Sequence, residues 1–176
     1  MKITDVVTAP NGEELKRLYD RFGTVVAIDQ ATRSGVAVLS REHVSLYVAS
    51  LQDHKRGATL GGELRALATW VGSLKPSVLF FERPAGRHKA AIIKSSKIMG
   101  AILAKVEGAN GAIAHAFSAT EVKKFATDKG RAGKDEMVEA ARAEGFPVDD
   151  DNQADALFIL KMGLERLAKD NPTDHE

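Results

Sequence analysis

The hexapeptide SVLFFE, residues 77–82, constrains this chain more than any other stretch. Side chains along a strand point alternately to opposite faces, so the apolar run 78–81 puts hydrophobic groups on both sides. Such a strand needs a packed layer above and below it, which a simple antiparallel meander does not provide. A central strand in a sheet covered by helices satisfies that demand. The run then stops on a carboxylate, Glu82. An earlier apolar strand, TVVAI (24–28), stops the same way on Asp29.

The remaining elements follow from spacing and punctuation. TVVAI (24–28), GVAVLS (35–40) and HVSLYVA (43–49) are short, β-branched and separated by turn material, with REH as a tight turn, which predicts an antiparallel three-strand meander. Leu60, Leu64, Leu67, Ala68, Val71 and Leu74 recur at helical spacing, and Lys75-Pro76 ends that helix before SVLFFE. Residues 90–106 read as a second long helix and AIAHAF (112–117) as a further strand. Helices over 120–125, 134–144 and 151–168 complete the pattern, with Phe158 and its apolar neighbours on the buried side of the last. NGEELKRLYDRF reads as a short helix with Asn11 as N-cap, and residues 1–10 as irregular. The order predicts an α/β fold: a mixed five-stranded sheet, three antiparallel strands followed by two parallel ones, with helices on both faces. Trp70, Phe80, Phe117 and Phe158 read as core.

At 176 residues and 44% apolar composition, one domain with a sizeable core is expected. Residues 1–23 form an N-terminal extension with a short helix, 24–168 the domain proper, and 169–176 a frayed tail. There is no cysteine, which excludes disulfides and thiolate metal sites and fits a reducing compartment. No apolar stretch approaches the roughly 18 to 20 residues of a membrane span, and the first twenty residues lack a signal-peptide core, so no membrane partner and a cytoplasmic location are expected. The net charge of +1 is silent about partners, but its distribution is not. Between Arg83 and Lys134 eleven Lys or Arg face three acids, leaving the rest of the chain at −7.

Three acids share an uncommon placement: Asp29 and Glu82 at the ends of apolar strands, and Asp155 in the first turns of the last helix, after DDDNQA. If the two strands are parallel neighbours, Asp29 and Glu82 lie side by side, and a helix packed on that sheet brings Asp155 to the same point. Converging carboxylates repel unless a cation neutralises them, which points to hard oxygen-ligated Mg²⁺ or Mn²⁺. Two such ions about 3.5 to 4 Å apart can activate a water and stabilise the leaving oxygen of a phosphodiester.

AIDQATRSGVAVL, LFFERPAG, ATEVKKFATDKGRAGKDEM and DDDNQADALFIL together resemble, in order and spacing, the blocks of RuvC-type Holliday-junction resolvases, especially the phage-encoded branch, within the RNase H-like superfamily. The resemblance spans roughly residues 24–168. It implies an RNase H-like nuclease domain and a homodimer that cuts two like-polarity strands of a four-way DNA junction by hydrolysis at two Mg²⁺ or Mn²⁺ ions. It places the family's first acid on Asp29, the second on Glu82 and the last on Asp155. The remaining acid stands three residues before the last in the family, which here is Asn152; Asp151, on nearly the same helix face, is the expected ligand. The family's two lysines fall on Lys123 and Lys134, beside the scissile phosphate. The aromatic that follows the second acid in the family is here Ala85.

The basic stretch supplies the remaining contacts expected with DNA. RPAGRHK places Arg83, Arg87, His88 and Lys89 directly after Glu82, where they would meet the phosphate backbone, with Lys94, Lys129 and Arg131 extending the surface. Lys94, Lys97 and Lys105 equally suit the solvated face of a helix. Rival readings remain. AIDQATRSGVAVL also resembles the phosphate-binding start of sugar kinases, but those enzymes need a second domain that this length does not hold. A non-catalytic DNA-binding module of the same fold would account for Asn152. A nuclease of broader specificity, acting on flaps and forks, would account for Ala85.

Overall fold

The computed structural model describes residues 1–51 and 59–171. A six-stranded sheet carries the fold, with β1 (Lys2–Pro10), β2 (Val25–Asp29), β3 (Arg33–Leu39), β4 (His43–Ser50), β5 (Val78–Glu82) and β6 (Ile113–Phe117) in the spatial order β1-β4-β3-β2-β5-β6. The pairs β1/β4, β4/β3 and β3/β2 are antiparallel, and β2/β5 and β5/β6 are parallel. The meander, the parallel strands that follow it and the helices on both faces match the α/β expectation, but the sheet has six strands rather than five. Residues 1–10, expected to be irregular, form the sixth: they pair with β4 through a register shift between Thr4 and Val7. That irregularity breaks the two-residue alternation by which a strand is recognised.

Alternation along the strands sorts the core into two layers. Val25, Ala27, Val78 and Phe80 face one side with Leu157, Phe158 and Leu160 of α6 (Asp151–Asp170). Val26, Ile28, Leu79 and Phe81 face the other, against α2 (Leu60–Ser73) and α3 (Lys89–Asn110). The α6 layer also holds α4 (Ala119–Thr127), α5 (Lys134–Ala143) and the amphipathic α1 (Glu13–Phe22), whose Leu15, Leu18, Tyr19 and Phe22 are partly buried. SVLFFE is thus a central strand with a helical layer on each face. Phe80, Phe117 and Phe158 are buried; Trp70 is only half-buried, stacked edge-on against Tyr47 at 5.3 Å.

Helix boundaries follow from local chemistry. The Thr59 hydroxyl accepts from the Gly62 N–H at 3.1 Å to start α2, and Lys75, in the left-handed region at φ 51° before Pro76, stops the chain from continuing it. Asn11 does not cap α1. Gly12 occupies that position, and the buried Asn11 side chain instead donates to the carbonyls of Ser40 and Arg41 at 2.8 and 3.1 Å, tying the chain to the β3–β4 turn. The last helix, expected over 151–168, continues through Lys169 and Asp170; residues 172–176 lie outside the described residues.

In α4, Ser118 and Glu121 form a reciprocal capping box, and the Ser118 hydroxyl and N–H hold the Glu121 carboxyl down at about 2. Ser118→Ala is expected to cost about 1 kcal/mol, read as a lower urea midpoint at unchanged slope. An unchanged midpoint would show that tertiary packing alone fixes where α4 begins.

Candidate active site

Register brings the two strand-end acids together. The parallel ladder pairs Ala27 with Phe80 and Ile28 with Phe81, so the next residues, Asp29 and Glu82, end abreast. Both have the parity of Val25, Ala27, Val78 and Phe80, which places them on the face that α6 covers.

Two glycines let α6 approach that closely. A Cβ on Gly35 would lie 1.7 Å from the carbonyl oxygen of Asn152, and one on Gly163 would lie 2.5 Å from the Phe80 ring. The first turn of α6 therefore rests on the backbone of β3 beside Asp29, whose ladder partner is Gly35. Asp150 caps the helix, accepting from the Asn152 N–H at 2.8 Å, and is ion-paired to Arg33 at the start of β3. Asp151 and Asp155, one helical turn apart, share the face turned to the strand ends.

The electrostatics record the convergence. Burial, followed by the charges of Glu82, Asp155 and Asp151, pushes the Asp29 carboxyl up to about 8, with Lys134 opposing. Burial and Asp155 raise Glu82, against Lys123. Asp155 is raised to about 6, chiefly by burial, with Lys123 and Lys134 pulling it down and Asp151 pushing it up. Four carboxylates and two ammonium groups thus act on one another at one end of the sheet.

Asp151 and Asn152 divide along physical lines. The Asn152 amide donates to Asp150 Oδ1 at 2.5 Å and serves the helix cap, whereas the Asp151 charge acts on Asp29 and Asp155. Asp151 Oδ2 is held by Lys134 Nζ at 2.6 Å, and this pairing raises the lysine. Lys123 Nζ is anchored on the Ala132 carbonyl at 2.9 Å.

The donor set suits Mg²⁺ or Mn²⁺: hard oxygens only, with carboxyls that burial and mutual repulsion keep from ionising together unless positive charge arrives. Asp29, Glu82, Asp151 and Asp155 are the groups able to hold such ions. They converge without forming a finished cage; among the described residues no three Asp, Glu or His side chains stand in a metal-binding cluster. Gln30, which the sequence reading did not single out, is 4% exposed and donates from Nε2 to the Glu82 carbonyl, while its Oε1 is buried without a partner.

The other basic residues frame the acids less uniformly. Arg83, Arg87, His88 and Lys89 are exposed along the segment from β5 into α3; Arg83 also reaches back to the Ala116 carbonyl at 3.3 Å, and His88 sits at the α3 N-cap position. Lys94 donates to Thr32 Oγ1 at 2.7 Å, which brings α3 against the loop that follows Asp29. Arg131 is exposed between α4 and α5, and Lys129 is paired with Glu136 at 2.6 Å.

With this geometry in view, two solved structures share the architecture. Thermus thermophilus RuvC superimposes with a TM-score of 0.62 at 19% identity, covering 83% of this chain and 96% of its own. T. thermophilus RuvC in complex with Holliday junction substrate gives 0.62 at 20% identity, covering 80% and 96%. The fold is RuvC-like. No family model matches the sequence, and no curated protein does. Among the described residues, no helix is long and apolar enough to cross a membrane.

Proposed function

We propose that this protein is a metal-dependent endodeoxyribonuclease that works as a homodimer on branched DNA, cutting four-way junctions by phosphodiester hydrolysis. The observation that carries the reading is the gathering of Asp29, Glu82, Asp151 and Asp155 from two parallel strand ends and one helix, with Lys123 and Lys134 among them. The RuvC-like architecture supports it, as does the junction DNA held by the T. thermophilus protein. The nearer likeness to phage-encoded resolvases rests on the four sequence blocks.

In this reading the four carboxylates would hold two Mg²⁺ or Mn²⁺ ions, which would supply Lewis acidity toward the phosphodiester and lower the pKa of water. The chain's own residues do the rest. β2 and β5 fix Asp29 and Glu82 rigidly, so little reorganisation accompanies the reaction. Lys134, at 80% side-chain exposure, is free to exchange the Asp151 carboxylate for a phosphate oxygen. Lys123, held on Ala132, supplies a second positive charge that acts on both Glu82 and Asp155. Arg83, Arg87, His88, Lys89, Lys94, Lys129 and Arg131 meet backbone phosphates on either side, which makes affinity fall steeply with salt.

Purified protein is expected to nick a synthetic four-way junction in Mg²⁺ or Mn²⁺ at symmetrically placed positions on opposed strands, and to leave linear duplex intact. Equal cutting of linear duplex would remove the junction reading. A second reading, a nuclease for flaps and forks as well, is favoured by Ala85, exposed where the resembled family carries a base-stacking aromatic. Flap and fork substrates cut as fast as junctions would select it.

A further inference from the structure

Gln30 poses a question that the acids do not answer. A glutamine at 4% exposure normally has both ends of its carboxamide hydrogen-bonded, yet only Nε2 is engaged, on the main-chain carbonyl of Glu82, and Oε1 is buried alone. The bond is also placed unusually. The β2–β5 ladder ends at Ile28 and Phe81, and Gln30 extends the connection past it, joining the residue after Asp29 to the backbone of Glu82 itself. This side chain therefore ties β2 to β5 one step beyond their last paired residues, at the level of the two acids.

The unpaired oxygen narrows what it serves. An amide oxygen only accepts, and DNA phosphates also only accept, so Oε1 is no contact for the DNA backbone. Nor is it satisfied by the nearby loop, where the Ser34 hydroxyl is already engaged with the N–H and C=O of Ala31. Metal-site residues are commonly oriented by hydrogen bonds of this outer kind.

We propose that Gln30 is a positioning residue for divalent-ion binding: its carboxamide clamps the end of β5 to the end of β2, so that Glu82 and Asp29 address the same ion. The proposal rests on the reading of the acids as a metal site. It makes Gln30→Met an informative substitution, because methionine has nearly the same length and fills the space without donor or acceptor. Losing the Nε2 bond and the orphaned oxygen together has opposing effects on folding, so the ion-free melting temperature is expected to stay close to that of the parent. Gln30→Glu keeps an acceptor but sets it against the Glu82 carbonyl.

The test is Mn²⁺ binding to the full chain without DNA, followed by titration calorimetry and by the electron paramagnetic resonance of free Mn²⁺. Parent, Asp29→Asn, Gln30→Met and Gln30→Glu are compared, with melting curves as a check on folding. Mn²⁺ affinity about tenfold weaker in Gln30→Met, at an ion-free melting temperature within 2 to 3 °C of the parent, supports the clamp. Affinity within twofold of the parent overturns it, provided Asp29→Asn has lost binding; the metal reading then stands and Gln30 is packing alone. If Asp29→Asn binds Mn²⁺ as well as the parent does, the acids are not the ion site, and both inferences fall. Should Gln30→Met misfold, Gln30→Glu decides by the same tenfold and twofold limits.

Discussion

Replacing Asp29 by Asn is expected to end junction cutting and, in the same molecule, to stabilise the ion-free protein at pH 8. The two effects have one cause. The carboxyl sits where burial and the charges of Glu82, Asp155 and Asp151 push it up to about 8, so the folded chain without ions keeps a proton that the unfolded chain releases near 4. A group whose folded pKa is raised contributes stability that is fully present below the unfolded value and lost as pH rises through the folded one. For Asp29 that window runs from about 4 to about 8, and Asp155, raised to about 6, loses its share in the lower half. The ion-free parent should therefore melt progressively lower between pH 5 and 8.5, with a deficit at the top of the range on the order of a few kcal/mol. The three acids titrate as a set, so the curve belongs to the cluster rather than to one residue. Asn has no proton to lose. The variant should show a flatter profile and melt several degrees above the parent at pH 8, while cutting falls on the order of 10³-fold if the Asp29 carboxylate holds metal as proposed. Mg²⁺ or Mn²⁺ should raise the parent's melting temperature more at pH 8 than at pH 5, since protons and cations compete for the same oxygens. An Asp29→Asn protein less stable than the parent at pH 8 would contradict the strained cluster; one that still cuts junctions would contradict the function.

What the chain announces in its sequence and what it conceals divide along physical lines. Asp29 and Glu82 are legible because each ends an uninterrupted apolar run, and a strand buried on both faces seldom stops on a charge without a reason. That they stand abreast follows once β2 and β5 are parallel neighbours, which the double-sided burial of SVLFFE already favours. Lys2–Pro10 is hidden because its pairing with β4 slips between Thr4 and Val7, so its apolar residues keep no steady alternation. Asn11 misleads for a related reason: before a helix it is an ordinary cap, and only the β3–β4 turn folded against it reveals that its amide is used elsewhere. Gln30 is invisible in the sequence because a polar residue after a strand is normally at the surface. Its amide is engaged by the end of β5, at the Glu82 carbonyl, contributed from more than fifty residues away in the chain. The choice between Asp151 and Asn152 likewise waits on structure, since both lie near the same helix face and only the cap on Asp150 claims the amide.

Among the described glycines, Gly35 is where an added methyl group is expected to do the most damage. The new Cβ would fall 1.7 Å from the Asn152 carbonyl oxygen and 2.4 Å from its carbon, so the clash is with backbone in the first turn of α6, not with a side chain that can turn aside. Relief requires either β3 to move away from β2 and β4, its hydrogen-bonded neighbours on both sides, or α6 to lift. Lifting is the cheaper path, because the N-terminal turn is held from outside chiefly by Asp150 on Arg33 and Asp151 on Lys134, pairs with one exposed partner each. Overpacking of this kind costs about 3 kcal/mol, or roughly 6 to 12 °C in a domain of this size. The functional loss should exceed the loss in stability, because the turn that lifts carries Asp151 and Asp155. At a temperature where the variant is still fully folded by circular dichroism, Mn²⁺ affinity and junction cutting should both fall at least about tenfold. Gly100→Ala is the control: it lies in the interior of α3 with nothing within 4 Å of the added carbon, and should raise stability by up to about 1 kcal/mol while leaving Mn²⁺ binding unchanged. A Gly35→Ala protein with parental melting temperature and Mn²⁺ affinity would mean that α6 does not need this contact to bring its acids to the strand ends.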